Sequence, residues 1–349
     1  EILAVTGVQT CALPISVPDN LREVQPTAFL AVPRIWEKFY SGITIALKDA
    51  TPFQNWMYAR ALAIGNRMTE CRLEGETPPL SLRLANRAAY WLVFRNIRRM
   101  LGLDRCRIAL TGAAPISPDL IRWYLALGID MREVYGQTEN CGVATMMPAD
   151  RIKLGSVGKA APWGEVMICP RGEILIKGDY LFMGYLNQPE KTAETIDAKG
   201  WLRTGDVGTV TNAGFLTLYD RARDVIRSGG EWIYSAQVEN LIMESDDVIE
   251  CAVIGIPDKK WGERPLAVTK LTADVEPAKE TAAHLRASLA DVLPKWMAPE
   301  YWTFVDSIDK TSVGKFDKKD LRKHLARDEF DILSLPGPGS RPKPTTQTS

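Results

Sequence analysis

The strongest constraint on this chain is the alternation of strand and helix patterns between residues 27 and 134. Thr27 to Pro33 reads as a buried strand closed by proline. Arg34 to Leu47 reads as a helix, with Ile35, Trp36, Phe39, Tyr40 and Ile43 on one side. Helical patterns follow over Asn55 to Arg72 and Leu80 to Leu101, separated by the breaker run Glu74 to Pro79. Arg107 to Leu110 is a short strand running into Thr111-Gly112-Ala113-Ala114-Pro115. Asp119 to Leu127 is a helix that Ser117 can cap. Asp130 to Val134 is a strand ending in Tyr135-Gly136-Gln137-Thr138-Glu139. This alternation predicts an α/β fold with a largely parallel sheet. Ligands in such sheets sit beyond the carboxyl ends of the strands, where both polar segments fall.

From Ser156 to Tyr219 the pattern changes to short strands with many glycines, at Glu165 to Cys169 and Gly172 to Gly178, and then a hairpin. The hairpin comprises a Thr-Gly-Asp turn, Val207 to Val210, a turn at Asn212-Ala213-Gly214, and Phe215 to Tyr219. Asp206 and Arg221 stand at its ends, where an acid and an arginine can grip a vicinal diol. An ordinary surface hairpin is the competing reading. Beyond Asp220 helix and strand alternate again: helices over Ser235 to Ser245, Ala278 to Leu293 and Lys318 to Arg327, strands over Val248 to Ile256, Leu266 to Leu271 and Tyr301 to Val305. About a hundred residues suffice for a separate α+β domain. The boundary is expected at Asp220 to Arg227.

Equal numbers of acidic and basic residues, 43 of each, argue against nucleic acid as the main partner. Six cysteines without a Cys-x-x-Cys pair indicate neither a zinc site nor a disulfide framework, as expected of a reducing, cytoplasmic setting. No apolar run is long enough to span a bilayer. The basic cluster Arg95 to Arg107 beside Tyr90 to Phe94 reads as a solvated helix face, with a peripheral contact at the inner membrane face as the lesser alternative. Residues 1–16 resemble a translated sequencing adapter and are expected to be non-native. Residues 332–349, rich in Pro, Gly, Ser and Thr, are expected to form a disordered tail.

The ordered set TGAAP, YGQTEN, GYLNQPEKTAE, GWLRTGDVG, DRARDVIRSGGE and KTSVGK resembles the adenylate-forming superfamily over roughly residues 17 to 330. Residues 17 to 160, with PDNLREV and VPRIWEK, are similar to long-chain fatty acyl-CoA synthetases. SGGEWI, KWGERPLAV and TSVGKFDKK look more like the medium-chain enzymes. The resemblance implies a truncated AMP-binding large domain over 17–220 (mostly parallel sheet plus β-rich subdomain) and a smaller mobile α+β domain over 221–331. It implies ATP, Mg2+ and CoA as cofactors or substrates and a fatty acid as the acyl donor. A carboxylate would attack the α-phosphorus and expel pyrophosphate; a thiol would then take the acyl group and release AMP. A carboxylate is already ionised at neutral pH, so positioning and charge neutralisation carry the first step and no general base is required. His284 and His324 are accordingly read as structural or surface residues.

By the same resemblance Tyr135 stacks on adenine, Gly136 leaves room for an acyl tail, and Gly112 and Ala113 line the adenine and acyl walls. Thr138 bonds the α-phosphate and Glu139 holds the metal ion. Asp206 and Arg221 hold the ribose, the arginine as a permanent multi-donor cation. Lys315 reaches the α-phosphate during adenylation, Arg223 occupies the hinge about which the small domain rotates, and Gly229 and Gly230 line the CoA tunnel. The local alternatives are an aromatic plug for Tyr135, a solvated lysine for Lys315 and a glycine turn at 229–230. Asp309 departs from the family's usual proline. The family's Ser/Thr/Gly-rich phosphate loop is not found in this sequence, so a C-terminal fragment, weakly active or inactive alone, is expected. The expected activity is ATP-dependent fatty acid–CoA ligation; the alternatives are an acyl-AMP ligase that loads a carrier protein and a non-catalytic nucleotide-binding module.

Overall fold

The protein is described by a computed structural model over residues 17–310 and 316–336. The chain falls into two compact units, one comprising residues up to Thr204 with Thr209–Leu218, the other Gly205–Gly208 with Tyr219 onward.

In the first unit, helix α1 (Val17–Val24) leads to β1 (Ala28–Ala31), α2 (Pro33–Lys48) and α3 (Pro52–Glu74). Thr51 and Gln54 form a reciprocal capping box at the start of α3, and Gly75 ends it in a left-handed conformation, φ 74°. The expected third helix runs from α4 (Leu80–Ala89) through one π turn (Tyr90–Phe94) into α5 (Arg95–Met100). β2 (Ile108–Thr111), α6 (Pro118–Ala126) and β3 (Met131–Tyr135) follow. Ser117 does occupy the cap position of α6, but Pro118 opens the helix and the serine side chain makes no capping bond.

β1, β2 and β3 are parallel, and two short strands, β4 (Thr145–Met146) and β5 (Lys159–Ala160), extend this sheet antiparallel. Trp36, fully buried, packs edge-on against Phe29, Phe39 and Tyr124, whose hydroxyl donates to the Trp36 carbonyl at 2.7 Å. Gly65 lets α3 lie directly on α6, because a Cβ there would sit 2.3 Å from the Ala126 carbonyl oxygen.

The β-rich segment supplies β6 (Glu165–Ile168), β7 (Glu173–Lys177), helix α7 (Pro189–Thr195), β8 (Leu202–Val210) and β9 (Leu216–Arg221), with strand order β6-β7-β8-β9. β8 begins five residues earlier than the sequence pattern suggested. Leu202 is fully buried, so the Thr-Gly-Asp run lies inside the strand, where Gly205 adopts a φ of 70°.

The second unit continues through β10 (Ile226–Ser228), β11 (Glu231–Ile233), α8 (Ser235–Ile242), β12 (Val248–Asp258), β13 (Gly262–Leu271), α9 (Lys279–Ser288), β14 (Tyr301–Phe304), α10 (Lys318–Ala326) and β15 (Leu333–Ser334). Its sheet has the order β11-β10-β13-β14-β15, with β12 also paired to β13. β15 pairs with β14 and Leu335 is 6% exposed, so ordered structure continues past residue 332, where the tail was expected to begin. Among the described residues no helix is long and apolar enough to cross a membrane.

Candidate functional site

In the first unit the parallel pairing of β2 with β3 sets Thr111 beside Glu133 and carries both strand ends to the same edge. The two loops that leave this edge are in close contact. A Cβ on Gly112 would lie 2.9 Å from the Val134 carbonyl oxygen, so glycine is what permits TGAAP to close on YGQTE. Ala113 follows with a φ of 69°. Left-handed backbone at a non-glycine residue is disfavoured by roughly 1–2 kcal/mol and concentrates at functional loops.

After β3 the chain turns sharply. The Gln137 amide donates to Asn140 Oδ1 at 2.9 Å, the Cys141 amide to the Thr138 carbonyl at 3.1 Å and the Gly142 amide to the Gln137 carbonyl at 2.9 Å. Gln137 Nε2 donates to the Thr204 carbonyl at 2.9 Å. Thr138 is exposed on this locked turn, and Glu139 is half-buried. The Phe182 amide donates to the Glu139 carbonyl at 2.8 Å, and the Tyr185 hydroxyl donates to Glu139 Oε1 at 2.7 Å. Burial and the adjacent carboxylate raise the Tyr185 phenol above its ordinary value, so it remains a donor at neutral pH. Tyr185 lies in the GYLNQPEKTAE run, which carried no residue-level assignment; its phenol beside an unassigned turn was the one available hint. A concavity of about 560 Å3 adjoins it, lined by Met183, Tyr185, Gln188 and Thr192 among others.

At Gly136 a Cβ would fall 2.2 Å from the Gly142 carbonyl oxygen, so glycine is required to close the turn. Tyr135 is 6% exposed and packs with Ala144, Ile174, Ile176, Leu202 and Leu216. Glu133, on β3, has its carboxyl pushed up to about 7 by burial.

In the second unit the hairpin base brings Asp206 and Arg221 together. The Ala222 amide donates to the Gly205 carbonyl at 2.8 Å, and Arg221 Nε lies 3.8 Å from Asp206 Oδ1. Asp206 is buried whereas about half of the Arg221 side chain, 48%, is exposed. Arg223 is more exposed still, at 68%; its carbonyl accepts from Arg322 Nη2, which also pairs with buried Asp224 at 2.8 Å. Gly229 and Gly230 form the two-residue turn of the β10–β11 hairpin, with φ of 61° and 90°. Such a turn calls for positive φ at both positions, and a Cβ on Gly229 would also meet Trp261 at 2.7 Å. The glycine-turn alternative therefore accounts for both residues.

Behind the hairpin base runs a buried polar chain that has no local sequence signature. Lys318 Nζ lies 2.7 Å from Glu239 Oε1 and donates to Ser235 Oγ at 2.7 Å; Ser235 in turn donates to Asp220 Oδ2. The Val253 amide also donates to Glu239 at 2.6 Å. Burial nevertheless holds the Glu239 carboxyl up, at about 7. Lys315 lies outside the described residues; its flanks Lys310 and Phe316 pair as an isolated bridge. His324 sits between Asp320 and Glu329, which raise its pKa, in keeping with a surface role. Asp309, Asp320 and His324 could together offer three ligand atoms to a cation.

Comparison with known proteins bears on these geometries. The family described as AMP-binding enzyme matches residues 3–186, and the AMP-binding enzyme C-terminal domain matches residues 237–315. A long-chain-fatty-acid–CoA ligase, ACSBG2 of Xenopus laevis, is 37% identical over 72% of the chain and 34% of its own length. A putative fatty-acid–CoA ligase, fadD11 of Mycobacterium tuberculosis, is 33% identical over 73% of the chain and 43% of its own length. The chain thus spans less than half the length of these relatives. Among solved structures, the ATP-bound RpMatB-BxBclM chimera B1 superposes with a TM-score of 0.63 at 25% identity, covering 88% of the chain and 53% of the chimera.

Proposed function

This chain belongs to the family of AMP-binding enzymes, and from that membership we propose that the protein carrying it joins a fatty acid to CoA at the expense of ATP, through an acyl-adenylate. The observation that carries the proposal is the locked turn after β3, with Glu139 fixed by the Tyr185 hydroxyl and Thr138 exposed beside it. The similarity to two fatty-acid–CoA ligases supports the acyl class, and the ATP-bound chimera supports the nucleotide.

In the first half-reaction a carboxylate oxygen of the fatty acid bonds to the α-phosphorus as the bond to the pyrophosphate oxygen breaks. Charge builds on the phosphoryl oxygens, and prepositioned donors are most effective there. Thr138 offers a hydroxyl donor from a backbone that cannot relax away. Glu139 has hard oxygens, one already engaged by Tyr185, and would hold a Mg2+ ion. That ion would neutralise charge on the phosphates. Within the second unit, Asp206 would accept from ribose hydroxyls and Arg221 would donate to them. Lys315 would contribute a cation during adenylation. In the second half-reaction the CoA sulfur bonds to the acyl carbon and AMP leaves as its phosphate–acyl bond breaks.

Titration with AMP and with a non-hydrolysable acyl-adenylate analogue tests the reading. Saturable binding of both, with the acyl group strengthening it, is expected. Failure of the folded protein to bind either compound would overturn it.

A further inference from the structure

The outward face of the α4–π turn–α5 helix has an unusual composition. Leu80, Leu84, Trp91 and Leu92 project into solvent with 68, 59, 55 and 62% exposure. Arginines stand at 83, 87, 95, 98 and 99, and no Asp or Glu occurs between Glu76 and Asp104, in a chain whose formal net charge is zero. Of these, Arg98 is turned inward and spent on the carbonyls of Gly128, Leu103 and Cys106. Arg83, Arg87 and Arg99 are exposed, and Arg95 is half-buried. Arg95 lies over the Trp91 ring at 4.6 Å. Among the described residues Arg83 and Arg87 make no ion pair, whereas Arg99 pairs with Asp104 at 3.4 Å.

The π turn keeps these groups in phase. The Arg95 amide donates to the Tyr90 carbonyl, five residues back, so one extra residue is accommodated in a single turn. A plain helix of 3.6 residues per turn would carry Arg99 about a quarter-turn away from Leu80. The insertion returns it to the same stripe and leaves both Trp91 and Leu92 on the outside.

We propose that this face docks on an anionic lipid bilayer, with the leucines and Trp91 entering the headgroup boundary and the arginines meeting lipid phosphates. An exposed apolar stripe rimmed by Arg, lying on a helix too polar to span, fits attachment in the plane of the interface. The acid-free run over 77–103 gives the charge complementarity to anionic lipid. Leucine side chains at the centre of the stripe fit hydrocarbon rather than the stacked bases of a nucleic acid.

Vesicle co-sedimentation of the intact protein is the test. Binding is expected with phosphatidylcholine vesicles holding roughly 30 mol % phosphatidylserine, weak with phosphatidylcholine alone, and lower when salt is raised from about 0.15 to about 0.5 M. Each arginine at such a surface is worth about fivefold in partitioning, so Arg83→Ala/Arg87→Ala should lose about 25-fold. Trp91→Ala should weaken binding without altering circular dichroism. Equal binding to neutral and anionic vesicles, no binding, or anionic binding indifferent to both variants would overturn the proposal. Light scattering that shows a dimer broken by the same substitutions would instead assign the face to a second copy and also overturn it.

Discussion

The hydroxyl of Tyr185 donates to Glu139 Oε1 at 2.7 Å across 46 residues of sequence, and the Phe182 amide holds the Glu139 carbonyl from the same loop. Glu139 is therefore fixed through both its backbone and its side chain before any ligand arrives. Preorganisation of this kind is what a site dominated by electrostatics needs.

Tyr185→Phe removes the hydroxyl and keeps the ring. A hydrogen bond to a charged group contributes about 1.5–3 kcal/mol. Adenylation by the whole protein should fall roughly tenfold to a hundredfold in kcat/KM. The same bond contributes to stability, so the melting temperature should fall by a few degrees while the fold is kept. Unchanged kinetics would show that the bond does not position the carboxylate.

Glu133 provides a pH signature. Burial raises its carboxyl to about 7. Its contribution to stability is fully present below the ordinary value of 4.5 and declines as pH rises through about 7. Glu133→Gln should flatten that decline and stabilise the protein above neutrality by up to about 3 kcal/mol. Parallel pH–stability curves for the two proteins in urea titrations would refute it.

The glycines separate by environment. Gly136→Ala drives a methyl group into the Gly142 backbone and should destabilise by about 2 kcal/mol or more. Gly230→Ala meets open space but keeps a φ of 90°, and should cost about 1–2 kcal/mol. Gly42, in the exposed interior of α2 with nothing within 4 Å, is the contrast: Gly42→Ala should stabilise by about 0.5–1 kcal/mol. Equal effects at all three positions would contradict the steric account.

Lys318→Met leaves Glu239 buried without its cation. Removal of one partner of a buried pair costs about 3–5 kcal/mol. The loss should be smaller at pH 5 than at pH 8, since the carboxyl, already raised by burial, can then protonate. Lys318→Met/Glu239→Gln should recover much of it. Chemical denaturation of the double-mutant cycle measures both effects, and additive losses would rule out the pairing.

The pattern of apolar residues made most elements readable. β1, β2 and β3 and the helices around Trp36 and Tyr124 follow directly from periodicity, because a buried face imposes it. The turn after β3 was also legible, since glycine and polar residues collect where a strand ends. Elements held by partners distant in sequence were not. β15 forms because Leu335 is buried against a strand some thirty residues away, and a polar-looking tail hides that. Lys318, Glu239, Ser235 and Asp220 come from three separate elements, each unremarkable by itself. The sequence marks Gly136, Gly229 and Gly230 as glycines that make way for a ligand, and the structure gives each of them a conformational or steric reason of its own. The obstacle is the protein's own backbone at Gly136 and Trp261 at Gly229, and at Gly230 it is the positive φ alone; nothing local distinguishes these from a ligand.

The most direct test of the central claim is fatty-acid-dependent ATP–pyrophosphate exchange by the whole protein that carries this chain, compared with its Glu139→Gln variant. The account predicts exchange that requires the fatty acid and falls roughly a hundredfold in the variant, whose fold by circular dichroism is unchanged. Absence of exchange in the wild type, or equal exchange in the two proteins, would contradict it.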